Sequence, residues 1–209
     1  MKSDFLCSMN SHLAIEHLRQ HANIEPLISQ IQMPDFTPSG RVYYDLLESI
    51  VSQQLSVKVA DVIFKRFTAL FSDQYPHPEK LLELEFDRLR SVGLSAQKAS
   101  YLQNVARFAL EHNLDSIEWH HKSDAEIISL LTQIKGVGTW TVQMLLMFSL
   151  GRPDIFPVDD LGIQQAMQRL FKIEEQNPRL LKQQMIVHAE PWRPYRTIAC
   201  RYLWRWKDQ

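Results

Sequence analysis

Ile134-Lys135-Gly136-Val137-Gly138-Thr139-Trp140-Thr141 is the stretch on which the fold turns. Two glycines one residue apart allow a tight reversal and close approach of the backbone. Upstream, Ser123-Asp124-Ala125-Glu126 has the form of a capping box, and Ile127, Leu130, Leu131 and Ile134 follow it at helical spacing. Downstream, Val142, Leu145, Leu146 and Leu150 repeat the spacing. The stretch is therefore a corner between two helices. A helix that starts here presents its first backbone N–H groups and its positive dipole end, a ready site for an anion such as a nucleic-acid phosphate. Taken alone, the glycine pair reads first as a plain helix–helix corner, and what lies downstream gives it chemical weight.

That downstream segment is Phe156-Pro157-Val158-Asp159-Asp160-Leu161-Gly162-Ile163. The proline fixes an extended approach, and the acidic pair sits where the next helix begins, marked by the stripe Ile163, Met167, Leu170. Aspartate is a favoured helix cap, so either acid alone reads as a cap. Two carboxylates exceed what capping needs, which leaves one of them to face a cleft.

Further outward the same period recurs. Tyr43, Leu46, Leu47, Ile50 and Val51 form one stripe, and Val59, Val62, Ile63, Phe67 and Leu70 another. Leu94, Tyr101, Leu102, Val105, Phe108 and Ala109 form a third, after a break at Pro76 and Pro78. Helical stretches close the chain over 178–188 and 195–206. Alternating strand patterns are nearly absent, and internal repeats and low-complexity segments are missing, so the expected class is all-α with about ten helices and short links.

The composition sets the remaining bounds. The 209 residues suffice for one sizeable domain or two small fused ones. A hydrophobic fraction of 45% is ordinary for a globular chain. No apolar run reaches the roughly 18–20 residues that cross a membrane, and the N-terminus lacks the pattern of a secretion signal, so a cytoplasmic protein is expected. Cys7 and Cys200 are the only cysteines, read as free thiols, and two cannot supply the four ligands of an iron–sulfur cluster. The net charge of −1 gives no global signal for nucleic acid, though a local basic face would suffice. None of the eight histidines falls in a metal-ligand pattern, and His120 and His121, being adjacent, are expected on different faces of the surface.

Gly136-Val137-Gly138 followed by Pro157-Val158-Asp159-Asp160 and Ile163 resembles the signature of the helix-hairpin-helix (HhH-GPD) DNA glycosylase superfamily. The segment from Ile50 to Ala60, Gly93-Leu94-Ser95 with Lys98-Ala99, and Pro191-Trp192-Arg193-Pro194-Tyr195-Arg196 resemble its alkylpurine branch, the bacterial DNA-3-methyladenine glycosylase II group without that group's β-rich N-terminal domain. The matches span about residues 42–206 in the family's order. Each motif is moderately specific, whereas the ordered set is highly specific.

The resemblance implies two helical subdomains, 42–152 carrying the hairpin and 1–41 plus 153–209, with a cleft between them where the hairpin and the carboxylate meet. It implies that Asp160 is catalytic, since two residues and then aliphatic Ile163 follow it as in the family, with Asp159 the alternative. In glycosylases that also nick the backbone, a lysine stands where Trp140 stands here. The resemblance therefore implies a monofunctional enzyme that hydrolyses the N-glycosidic bond of alkylated purines, 3-methyladenine and 7-methylguanine, and leaves an abasic site. Trp140, Tyr195 and Met144 would line the base pocket, with Met144 a departure from an aromatic position. Gln53, Gln54 and Leu55 would open the duplex, with Gln54 or Leu55 as the wedge, and Gly136, Val137, Gly138, Thr139 and Thr141 would hold the DNA. Arg193 and Arg196 are further phosphate candidates. The carbonyls of Thr132, Ile134 and Val137 would hold a Na+ or K+ ion, and the enzyme would act on duplex DNA as a monomer. The rival reading is a non-catalytic helix-hairpin-helix DNA-binding module. A bifunctional glycosylase/lyase is disfavoured by Trp140 and by the cysteine count.

Overall fold

The computed structural model describes residues 12–209, and among them every regular element is helical. The chain divides into two compact units, Ser39–Leu145 and the residues up to Pro38 together with Leu146–Gln209.

Seven helices build the unit Ser39–Leu145. They are α3 (Val42–Ser52), α4 (Val57–Thr68), α5 (Pro78–Glu83), α6 (Phe86–Ser91), α7 (Ala96–Glu111), α8 (Asp124–Leu131) and α9 (Thr139–Met144). The stripe read from the sequence is the buried face of α3: Val42, Tyr43, Leu46, Leu47, Ile50 and Val51. It packs against α4 and against the buried Ala99, Leu102, Val105 and Ala106 of α7. The Tyr43 hydroxyl, carried into this core, donates to Pro76 O at 2.6 Å, so that buried hydroxyl is satisfied. Ser95 caps α7 by accepting from Lys98 N.

The capping box at α8 forms as expected, with Ser123 N donating to Glu126 Oε2 at 2.7 Å and Glu126 N donating to Ser123 Oγ at 3.3 Å. Those bonds hold the Glu126 carboxyl below its ordinary range. Ser123→Ala leaves the N3 amide without its acceptor and is expected to destabilise the protein by about 1 kcal/mol. That is read as a fall of about 2–4 °C in the melting temperature.

The other unit holds a helix over 12–19 (α1), α2 (Glu25–Gln30), α10 (Leu161–Phe171), α11 (Pro178–Ala189) and α12 (Arg196–Lys207). Here α12 packs against α10 and α2, and α10 against α11. Trp192 is fully buried, and its indole donates to Asn23 Oδ1 at 3.4 Å. Cys200 is a buried free thiol pushed up by burial, and Cys7 lies outside the described residues.

Two features differ from the sequence reading. Twelve α-helices are described instead of about ten, because α2, α5 and α6 span only six residues each, too short to show a period. The division between units falls after Leu145 and not after 152. The reason is that the π-helical turn Leu145–Ser149 carries Phe148, whose ring meets those of Phe36 at 5.7 Å and Trp204 at 6.0 Å, and Arg152 N donates back to Leu146 O at 2.8 Å.

Candidate active site

The segment that delivers the acidic pair is gripped by the start of α12. Thr197 Oγ1 donates to Arg152 O at 2.7 Å and accepts from Ile155 N at 2.9 Å, while Thr197 N donates to Pro153 O at 3.0 Å. Arg196, 9% exposed, holds Asp154 through Nε at 2.6 Å and Nη2 at 3.0 Å. Arg193 pairs with Asp154 and with Glu190. The two arginines that the sequence offered as phosphate ligands are thus occupied in fixing this segment. The bidentate Arg196 pair fixes geometry as well as charge.

The chain then turns through Pro157, with Asp160 N donating to Pro157 O at 3.0 Å and Gln164 Nε2 to Val158 O at 2.7 Å. Asp160 has extended backbone (φ −72, ψ 121) and is the N-cap of α10, its Oδ1 accepting from Ile163 N at 2.8 Å. The same oxygen accepts from the indole Nε1 of Trp204 at 2.8 Å. Asp159 is exposed and ion-paired with Lys182. Of the two acids, Asp160 is therefore the cap, and the same carboxylate takes a second donor from α12.

In the other unit the glycine corner closes through Val137 N donating to Ile134 O at 2.9 Å. Gly136 adopts φ +107, and a Cβ there would lie 2.3–2.7 Å from the ring of Tyr101, so only glycine fits. Gly138, the N-cap of α9, has φ −98 and open space around its Cα. Thr139 is exposed, and Trp140 is 42% exposed, so this indole is not a core filler. Met144 is half-buried. Val137 and Thr141 are buried, so what they offer a phosphate comes from the backbone.

The loop after α3 belongs to the same unit and is tied to that corner. Gln53 Nε2 donates to Gly136 O at 3.3 Å. Gln54 is exposed and stands in the left-handed region at φ +59, a conformation that non-glycine residues hold only under constraint. Leu55 and Val57 are exposed beside it, Val57 at 86%. Lys98 Nζ donates to Val51 O at 2.7 Å near the C-terminus of α3, and desolvation pulls its pKa down.

Tyr195 lines a cavity of about 350 Å³ with Phe36, Pro38, Met147, Ile198 and Arg201; Asp160 is not among the lining residues. His120 and His121 come together instead of diverging, with ring centroids 4.0 Å apart, in the 3-10 turn Trp119–His121. With Glu118 they place ligand atoms within 4.8 Å of one another, all three side chains exposed.

Sequence reasoning missed Trp204, Tyr101 and the Gln53 tie. The one available signal was Gly162, a glycine inside the first turn of a helix where alanine would be better tolerated by the backbone.

Comparison with known proteins completes the description. The family model of HhH-GPD superfamily base excision DNA repair proteins matches residues 47–191. DNA-3-methyladenine glycosylase 1 of Schizosaccharomyces pombe is 38% identical over 166 residues, covering 78% of this chain and 71% of that protein. The structure of the 3-methyladenine DNA glycosylase of Schizosaccharomyces pombe in complex with abasic DNA has a TM-score of 0.81 at 34% identity, covering 94% of this chain and 97% of that one. DNA-3-methyladenine glycosidase from Bacillus halodurans has a TM-score of 0.76 at 34% identity, covering 91% of this chain and 87% of that one.

Proposed function

The chain belongs to the HhH-GPD superfamily of base excision DNA repair proteins, and from that membership we propose how it acts. It is a base excision repair glycosylase, a hydrolase of alkylated bases in DNA. Its substrates are the alkylated purines 3-methyladenine and 7-methylguanine in duplex DNA. It is monofunctional, and its product is an abasic site. The observation that carries this reading is the Asp160 carboxylate, held by two N–H donors at the head of α10, after Pro157-Val158-Asp159.

Breaking an N-glycosidic bond builds positive charge on the deoxyribose. A fixed carboxylate stabilises that charge and orients or deprotonates the attacking water. An alkylated purine is already cationic and leaves without a strong acid. Trp140, exposed at the first turn of α9, offers an electron-rich face for that cation. It supplies no amine, so the sugar is not attacked covalently from that position. Gly136–Thr139 and the backbone of Thr141 bind the strand, and Gln54 fills the gap left by the everted base. Tyr195 is retained as a stacking residue of the base pocket, and Met144 as a further pocket residue. Thr132, Ile134 and Val137 would hold a monovalent cation through backbone carbonyls. Hard oxygen donors suit such an ion, and Ile134 O keeps a lone pair beyond its turn bond. Bound there, the ion adds positive charge toward a phosphate. The enzyme acts as a monomer in the compartment that holds the DNA, the cytoplasm and its nucleoid in a bacterial cell. Among the described residues no helix is long and apolar enough to cross a membrane.

The test is incubation with methylated duplex DNA. Free 3-methyladenine and 7-methylguanine should appear in solution, and strands should break only after alkali. Intact binding with no base released by the wild type would favour the passive DNA-binding module, and strand cleavage before alkali would overturn the monofunctional reading. Gln54→Ala should lower excision from a matched duplex by about tenfold. The loss should be smaller where the lesion lies opposite a mismatch, because less unstacking energy must then be offset.

A further inference from the structure

We infer that Trp204 is the positioning residue of the reaction: its indole N–H fixes the Asp160 carboxylate, and Gly162 is a glycine so that the indole can reach it. The inference rests on the role proposed for Asp160.

The helix cap alone fixes one contact of a carboxylate that can still rotate about its χ angles. Ile163 N supplies that contact at 2.8 Å, and Trp204 Nε1 adds a second donor to the same oxygen at 2.8 Å. Two donors arriving from different helices define the orientation of the carboxylate, and orientation is what an electrostatic catalyst needs. The indole is itself held. Its ring meets Phe148 at 6.0 Å, and Phe148 meets Phe36 edge-on at 5.7 Å, with the Arg201 guanidinium 4.9 Å over Phe36. Trp204 is half-buried, so it is not needed as a filler of the deep core, where Trp192 serves.

Gly162 supplies the independent observation. A Cβ there would stand 3.0 Å from Trp204 Cδ1, 3.2 Å from Trp204 Nε1 and 3.1 Å from Asp160 Oδ1. Its φ is ordinary, so backbone freedom does not explain the glycine. Close passage of the indole to the carboxylate does.

The test compares Trp204→Phe with wild type under single-turnover conditions on methylated duplex. The rate should fall about 10- to 50-fold from loss of a hydrogen bond to a charged group and of its alignment. Affinity for abasic-site DNA should stay within about twofold. A purely structural tryptophan would lower affinity and rate together, or neither. Should the phenylalanine variant fail to fold, replacing Trp204 by 3-benzothienylalanine keeps the bicyclic shape and removes only the N–H donor, with the same expected loss of rate. In an Asp160→Ala background the replacement should have no further effect. A wild-type rate in the benzothienyl protein, with Asp160→Asn inactive, would overturn the inference and leave the role of Asp160 standing. Activity in Asp160→Asn would instead overturn the role on which it rests.

Discussion

Asp160→Asn is expected to slow single-turnover base release by about two to three orders of magnitude while changing lesion-DNA affinity little. The substitution isolates charge. Asparagine caps a helix as well as aspartate does, and its amide oxygen can still accept from Ile163 N and Trp204 Nε1. Fold and local geometry should therefore persist, with a melting temperature near that of the wild type. What disappears is the negative charge that the developing oxocarbenium requires. Asp159→Asn is the matched control. Asp159 is exposed and pairs with Lys182, and an exposed pair contributes about 1 kcal/mol or less. Its loss should leave the rate within a few-fold. Rates of the two variants in the opposite order would transfer the catalytic role to Asp159.

Gly136→Ala is expected to be the most damaging small substitution in the unit Ser39–Leu145. The added Cβ meets Cγ, Cδ2 and Cδ1 of Tyr101 at 2.3, 2.5 and 2.7 Å, the root of the ring and not a flexible tip. Alanine at φ +107 adds backbone strain. Overpacking costs about 1–3 kcal/mol and the backbone about 1–2 more. A total of about 3 kcal/mol corresponds to a fall of about 6–12 °C in melting temperature for a chain of this size. Because Gly136 O also receives Gln53 Nε2, the corner and the Gln54 loop should be disturbed together. DNA affinity should weaken by about tenfold or more. Gly138→Ala should leave stability within about 0.5 kcal/mol, since nothing lies within 4 Å of its Cβ and its φ is −98. Two glycines that look alike in the sequence thus have unequal roles, and equal melting temperatures for the two variants would refute this.

The contrast shows where local pattern carries the fold and where it stops. Stripes such as Val42 to Val51 and the box Ser123–Glu126 are local physics, set by neighbours within one turn, and they read directly from the chain. The acidic pair was legible for the same reason, as residues at a helix start. Pairings across long separations were not. Trp204 and Asp160 lie 44 residues apart, and Gln53 and Gly136 lie 83 apart. No period or spacing announces either. Arg193 and Arg196 read as phosphate candidates, and their pairing with Asp154, 39 and 42 residues away, had no local signal. His120 and His121 misled for a different reason. Adjacency sets the directions of the two Cα–Cβ bonds, but exposed imidazoles can still swing together through their χ angles, and here they do.

Every step of the chemistry depends on where one carboxylate stands when a nucleotide has left the stack. The most direct measurement is a crystal structure of this protein bound to duplex DNA that contains an abasic-site analogue. An Asp160 oxygen within about 3.5 Å of the C1′ position, or of a water between them, is the predicted result. An Asp160 directed into bulk solvent, with another residue against the sugar, would contradict the account.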